Sequence, residues 1–241
     1  MVEPADTQKL VEAPAAAVAC LFPEVVATLA ERGAAILDLP GHERLWEIQH
    51  RGHRLAVFYP GMGAPLAACR LERVIAAGCV AVVACGVGGA LRPDLHMGHH
   101  VITVTSAIRD EGTSYHYIPP SREVAVDPDV VQALSAIVTS REEQHIAGRT
   151  WTTDAYFRET SLRVATRRQE GCLTVEMEAS ALIAVSRFRG VRFGQYLYAG
   201  DDLTGEVWND RNWWESPRRT HLFELAADAA LTLIGEPISA A

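Results

Sequence analysis

Leu55-Ala-Val-Phe-Tyr59, Gly61-Met-Gly63 and Val80-Ala-Val-Val-Ala-Cys85 read as strand, turn and strand, with Leu66, Leu71, Val74 and Ile75 between them at helical spacing. Val80 to Cys85 is a continuous β-rich run, the pattern of a strand covered on both faces. A strand, a crossover helix and a second strand in so short a stretch predict a right-handed βαβ unit. Outward from it, Gly86-Val-Gly-Gly89 reads as a turn and Val101 to Thr105 as a strand. Pro128 to Arg141 reads as a helix with Val130, Val131, Leu134 and Ile137 on one side. Leu173 to Val175 is an apolar run entering a small-residue helix from Ala179 to Phe188. A late strand, Val191 to Tyr198, stops at Gly200-Asp-Asp202, and Leu222, Phe223, Leu225, Ala226, Ala229, Leu233 and Ile234 mark a closing helix. The alternation predicts a single α/β domain over residues 1–241, with helices on both faces of the sheet. Such folds bind ligands beyond the carboxyl ends of their strands, so the loops near 86, 106, 152, 176 and 200 are the ones to inspect.

The formal charge of −8, from 22 Lys+Arg and 30 Asp+Glu, argues against a broad basic face for nucleic acid or anionic lipid. At 49% hydrophobic the chain can bury a substantial core. No apolar run approaches the ~18 residues that span a bilayer. The acidic start lacks a basic n-region and an apolar h-region, which predicts no secretion signal and a cytoplasmic protein. Cys20, Cys69, Cys79, Cys85 and Cys172 are odd in number and scattered, as expected of reduced thiols.

Cys85-Gly-Val-Gly-Gly-Ala-Leu91 lacks the third glycine of a dinucleotide fingerprint and runs on to Arg92-Pro93-Asp94 instead of a helix, so a nicotinamide site is not expected. Its glycines allow close backbone approach to some ligand, or mark a ligand-free turn. Val175-Glu-Met-Glu-Ala-Ser180 puts Glu176 and Glu178 at the junction of a buried strand and an Ala-rich helix. Carboxylates there can be plain helix-dipole partners. Burial between two hydrophobic segments instead calls for specific partners, and paired sugar hydroxyls over Met177 would suit. In Gly200-Asp-Asp-Leu203, alternation sends Asp201 and Asp202 to opposite faces, so one of them can enter a pocket as an acid. A solvated turn is the other reading.

Five segments together resemble the nucleoside phosphorylase family of uridine phosphorylase, hexameric purine nucleoside phosphorylases and methylthioadenosine nucleosidases. They are Gly61 to Gly63, Gly86 to Gly89, Arg109-Asp-Glu-Gly-Thr-Ser-Tyr-His-Tyr117, Trp151 to Tyr156 with Arg158-Glu-Thr160, and Val175 to Ala179. The third and fourth are closest to the uridine-phosphorylase-like branch. The resemblance implies a mixed, partly barrel-like sheet flanked by helices, assembled as dimers or trimers of dimers. It also implies attack at the anomeric carbon of a nucleoside through an oxocarbenium-like state. By motif position Glu178 would hold the ribose hydroxyls, with Met177 against the ring and Glu176 supporting. Gly200 and Asp201 match the loop whose acid protonates purine leaving groups, while Tyr156 falls where an aromatic stacks on the base. Arg158 is a candidate for reading base carbonyls, or a solvated helix-start residue.

The family's phosphate site is altered. A Pro-Gly-Asp-Pro turn with a following Arg is replaced by Val18-Ala-Cys-Leu-Phe-Pro-Glu-Val25, and Ala84 and Val87 stand where the family has Arg and Ser or Thr. Arg44 or Arg51 is the nearest candidate for the arginine a neighbouring subunit usually supplies. Losing a bidentate guanidinium removes ~1.5 to 3 kcal/mol of charge-assisted binding. The remaining nucleophile region is Gly61, Gly63, Gly86, Val87, Gly88 and Arg109, with Arg92 or Arg109 as alternative anion holders. The expected partners are a nucleoside and phosphate. Water as acceptor, or a nucleoside-binding protein without turnover, are the alternatives. No metal or redox cofactor is expected: Asp94, His96, His99 and His100 match no zinc spacing. Trp208, Trp213 and Trp214 lie in a polar stretch that could form a lid or a subunit contact.

Overall fold

The computed structural model describes residues 3–7, 11–215 and 218–236, so the outermost ends of the expected 1–241 domain lie outside the described residues. In chain order the elements are β1 (Ala16–Cys20), α1 (Pro23–Ala30), β2 (Ala34–Leu39), β3 (Glu43–His50), β4 (His53–Phe58), α2 (Ala64–Ala76), β5 (Ala81–Ala90) and β6 (Val101–Asp110). They continue with β7 (Glu123–Ala125), α3 (Pro128–Ser140), β8 (His145–Thr153), α4 (Ser161–Gln169), β9 (Cys172–Glu176), α5 (Ala179–Arg189), β10 (Arg192–Asp202) and α6 (Arg218–Leu233). All strands join one mixed sheet of order β10-β6-β8-β9-β5-β1-β4-β3-β2, with β7 on β6. Because β10 also pairs with β5, the first five strands close into a barrel, and β1 to β4 extend from it as an open wing. Among the described residues no helix is long and apolar enough to cross a membrane.

The βαβ expectation holds for its elements and changes in one detail: β4 and β5 both pair in parallel with β1, which lies between them. The crossover over α2 therefore skips a strand. The helices pack in pairs, α2 on α5 and α3 on α6. The hairpin β3–β4 turns on Arg51 (φ 49°) and Gly52 (φ 82°), a two-residue turn whose positive φ values match the strand twist.

The expected turn at Gly86-Val-Gly-Gly89 is instead the second half of β5. The glycines are there because neighbouring chain fills the space of their side chains. A Cβ at Gly86 would stand 2.7 Å from Leu21 Cδ1, and one at Gly88 3.0 Å from the Val175 carbonyl. Propensity reads them as punctuation, while packing makes them strand residues.

Asp228 on α6 is buried and meets three side chains: His50 Nε2 at 2.8 Å, Arg51 Nε at 2.7 Å, and Arg141 Nη2. Burial works to raise its carboxyl, but the hydrogen bonds from His50 and Arg51 outweigh it and hold the group below its ordinary value. The stabilisation is therefore present at neutral pH and is lost as pH falls through that lowered value. Asp228→Asn should reduce the unfolding free energy by about 2 kcal/mol, with most of the difference vanishing in acid; urea titrations at several pH values would check both.

Candidate active site

β5 and β9 meet through their last residues, Gly89 opposite Val175 and Ala90 opposite Thr174. β8 follows β9 to the same point, with Thr152 opposite Glu176, and β10 ends beside Ala90 at Asp202. Four strand ends thus converge at one end of the barrel, where the loops near 152, 176 and 200 were expected to carry the site.

β9 stops at Glu176 and α5 starts at Ala179, which leaves the first N–H groups of the helix without intrahelical partners. Glu176 supplies them: its Oε2 accepts from the N–H of Glu178 at 2.7 Å and of Ala179 at 2.6 Å, and its Oε1 accepts from Thr152 Oγ1 at 2.6 Å. Thr152 Oγ1 in turn accepts from the Ser180 N–H at 3.0 Å. Ser180 Oγ donates to Glu111 Oε1 at 2.7 Å, and Glu111 also accepts from the Ser114 N–H. Both oxygens of Glu176 are filled by the chain's own donors, so it braces the site instead of presenting a carboxylate to a ligand.

Glu178 is buried, at 5% exposure, and its Oε1 accepts from the Gly63 N–H at 2.6 Å. Gly63 starts α2 with φ 92°, a conformation closed to residues with a side chain, so the glycine is required by backbone geometry. Glu178 accordingly sits where the α2 dipole favours negative charge. Burial, and then the charge of Glu176, raises its carboxyl well above the ordinary range. Burial raises Glu176 too, while three hydrogen bonds favour its ionised form. Met177, half-buried, stands between the two acids.

Of the two aspartates, Asp201 is 8% exposed and Asp202 is structural. Trp208 Nε1 donates to Asp201 Oδ2 at 2.7 Å, and burial raises the Asp201 carboxyl despite that bond and the nearby Arg211 charge. Asp202 accepts from the Thr204 N–H at 2.8 Å and pairs with Arg211, within a bridge to Asn209. Beside Asp201 lies a cleft of about 450 Å³ lined by Tyr156, Phe157, Glu159, Leu203 and Trp208. Tyr156 is 41% exposed and meets Phe157 edge-on at 4.9 Å, leaving ring surface for a ligand. Arg158 is exposed. Trp208 belongs to this cleft, whereas Trp213 packs beneath Gly200, its Cβ 3.2 Å from where a Cβ at Gly200 would be. Glu159 carried no role in the sequence reading; a Glu between Arg158 and Thr160 bears no local mark of burial.

In the expected nucleophile region, apolar side chains stand against the glycines. Leu21 Cδ1 lies 2.7 Å from the Cβ position of Gly86, and Val87 Cγ2 lies 2.4 Å from the Cβ position of Gly200, so both glycines face apolar side chains. Arg109 is buried, at 2% exposure. Its Nε donates to Ser114 Oγ at 2.9 Å and its Nη1 to Ser121 Oγ at 2.7 Å and Pro119 O at 2.9 Å, with the guanidinium 3.9 Å from the Tyr115 ring. These bonds anchor the 113–121 segment, while among the described residues its Nη2 is buried without a hydrogen-bond partner. Arg92 is paired with Asp94, Arg44 with Asp38 and Arg51 with Asp228. Gly61 is approached by Leu66 and Arg70, and Arg70 donates to Pro40 and Tyr59 carbonyls. Among the described residues no group of three or more His, Cys, Asp or Glu is placed to hold a metal.

A family model described as the Phosphorylase superfamily matches residues 15–229. A guanosine phosphorylase of Halorubrum lacusprofundi is 30% identical over 143 residues, 59% of this chain and 59% of that protein. A uridine phosphorylase of Treponema pallidum is 29% identical over 154 residues, 59% of each. The match thus spans 59% of the length of these curated relatives. A crystal structure of uridine phosphorylase from Vibrio fischeri superposes with a TM-score of 0.76 at 22% identity, covering 94% of this chain and 95% of that one, a likeness of fold.

Proposed function

The chain belongs to the Phosphorylase superfamily, and from that membership we propose that it cleaves the N-glycosidic bond of a nucleoside, with phosphate accepting the pentosyl group. One observation carries the proposal: a buried acid, Glu178, held at the start of α2 beside Met177, where four strand ends converge and β10 brings in Asp201. Glu178 would accept hydrogen bonds from the ribose hydroxyls, which strengthen as positive charge builds at C1′. Asp201 would protonate the departing base while Tyr156 stacks on it. The names of the relatives, guanosine and uridine phosphorylases, support phosphate as the acceptor. A homo-oligomer is part of this reading.

Leu21 and Val87 favour a second acceptor. With apolar groups over Gly86 and Gly200, an anion finds fewer donors, and water fits the space at lower cost. Base release from a panel of purine and pyrimidine nucleosides, with and without phosphate, separates the cases. A requirement for phosphate, with pentose 1-phosphate as product, is the expected result. Release without phosphate supports water, and tight binding without release supports a binding protein.

A further inference from the structure

β6 ends at Asp110, and Glu111 leads from it into the single turn Thr113–His116. Its carboxyl is buried and meets two donors from different parts of the chain. One is the Ser114 N–H, 3.0 Å from Oε2, within the same turn. The other is Ser180 Oγ on α5, 2.7 Å from Oε1 and 69 residues further along the chain. Glu111 is held in its own place from both sides. Arg109 Nε donates to Ser114 Oγ at 2.9 Å, and the Gly112 N–H donates to Asp154 Oδ2, just past β8, at 3.0 Å.

The backbone at the start of α5 has its acceptors without Glu111. Glu176 on β9 takes the N–H groups of Glu178 and Ala179, and Thr152 Oγ1 on β8 takes that of Ser180. The Ser180 hydroxyl therefore makes an additional bond, directed sideways to the chain that leaves β6. A hydroxyl donating to a carboxylate is among the stronger and more directional hydrogen bonds. Because β6, β8 and β9 are neighbours in the sheet, residues 178 to 180 are fixed across three adjacent strands. A helix end tied to one strand can swing, whereas one tied across three keeps its direction. α5 starts from Glu178, so the carboxyl whose Oε1 meets the Gly63 N–H at 2.6 Å goes where that end is set.

Resting on the nucleoside-cleaving reading above, we propose that Glu111 and Ser180 are positioning residues for Glu178. Their bond sets the angle of the α5 start, and with it the fit of Glu178 to the ribose hydroxyls. Neither residue touches the sugar. Hydrogen bonds weaken steeply with misalignment, so a tilt of the helix end is felt at the ribose before it is felt by the fold. The pair should accordingly act through the sugar hydroxyls. Its loss should appear as lost discrimination between a ribonucleoside and its 2′-deoxy form.

The experiment measures kcat and KM for inosine, 2′-deoxyinosine, uridine and 2′-deoxyuridine, with phosphate present. It compares the unaltered protein with Ser180→Ala, Glu111→Ala, Glu111→Gln and the double variant Glu111→Ala/Ser180→Ala. Ser180→Ala removes the hydroxyl alone and installs the best helix former, so the helix is retained. Ser180→Ala and Glu111→Ala should each lower kcat on the ribonucleoside about tenfold, the worth of one charge-assisted hydrogen bond, with little change in KM. The 2′-deoxy form should lose far less, so the ratio of the two falls by nearly the same factor. The double variant should lose no more than Glu111→Ala alone, since both changes remove one bond. Glu111→Gln keeps a carbonyl oxygen for the Ser180 hydroxyl and should recover most of the ratio. Where Glu111→Ala fails to fold, Ser180→Ala and Glu111→Gln decide the matter. Unchanged kinetics in Ser180→Ala, equal losses on both sugars, or losses that multiply in the double variant would overturn the proposal. An unaltered protein that cleaves no nucleoside, or that turns over ribose and 2′-deoxyribose forms alike, would instead sink the reading of Glu178 on which it rests.

Discussion

Glu178→Gln is expected to lower kcat by about three orders of magnitude while the protein stays folded. Hydrogen bonds to the sugar hydroxyls supply several kcal/mol in the oxocarbenium-like state, and each ~1.4 kcal/mol is a factor of ten in rate. The amide keeps an oxygen for the Gly63 N–H, so the start of α2 retains its acceptor. It loses the negative charge that answers developing charge at C1′, so the effect should fall on kcat more than on KM. Stability should respond in the opposite direction. An acid whose folded value is raised binds more protons folded than unfolded, so its presence costs stability as pH rises from the ordinary carboxyl range through the raised value. Glu178→Gln removes that cost. Its melting temperature should therefore equal or exceed that of the unaltered protein at neutral pH, with a flatter dependence on pH. Undiminished turnover would show that Glu178 does not act on the sugar.

Glu176→Ala should damage both fold and activity. It removes the acceptor of three buried donors at once, the N–H groups of Glu178 and Ala179 and the Thr152 hydroxyl. A buried donor left unsatisfied costs about 1 to 3 kcal/mol, so a loss of about 3 kcal/mol or more is expected even where water enters the gap. The start of α5 should loosen, carrying Glu178 with it, and a shift of about 1 Å at a reacting centre is enough for a 100-fold loss of rate. Glu176→Gln keeps a carbonyl oxygen for the two N–H groups and should recover most of the stability. Urea denaturation and turnover, measured on both variants, distinguish bracing from direct binding. If Glu176→Ala left stability unchanged and only raised KM, Glu176 would be a ligand contact.

How far the site could be read from sequence depended on whether the cue was local. The run Val175-Glu-Met-Glu-Ala179 announced its acids because a buried strand, two carboxylates and an Ala-rich helix are consecutive residues. Alternation also separated Asp201 from Asp202, since side-chain direction in a strand has a period of two. Gly86 to Gly89 misled, because a glycine is turn-like by propensity, and what places it in β5 is Leu21, Thr174 and Leu203 arriving from distant segments. The surroundings of Arg109 carried no local cue either: Ser114, Ser121 and Tyr115 reach it by folding back over it.

By itself the amino-acid order determined the α/β class, most element positions and the kinship, since these rest on periodicity and on motifs a few residues long. The three-dimensional structure alone decided that both Glu176 oxygens are taken by the chain's own donors, that Glu159 lines a cleft with Trp208, and that Leu21 and Val87 stand against Gly86 and Gly200. The reason is physical. Whether a polar group is free, paired or desolvated is set by groups remote along the chain, and those become neighbours only when five strands close on themselves.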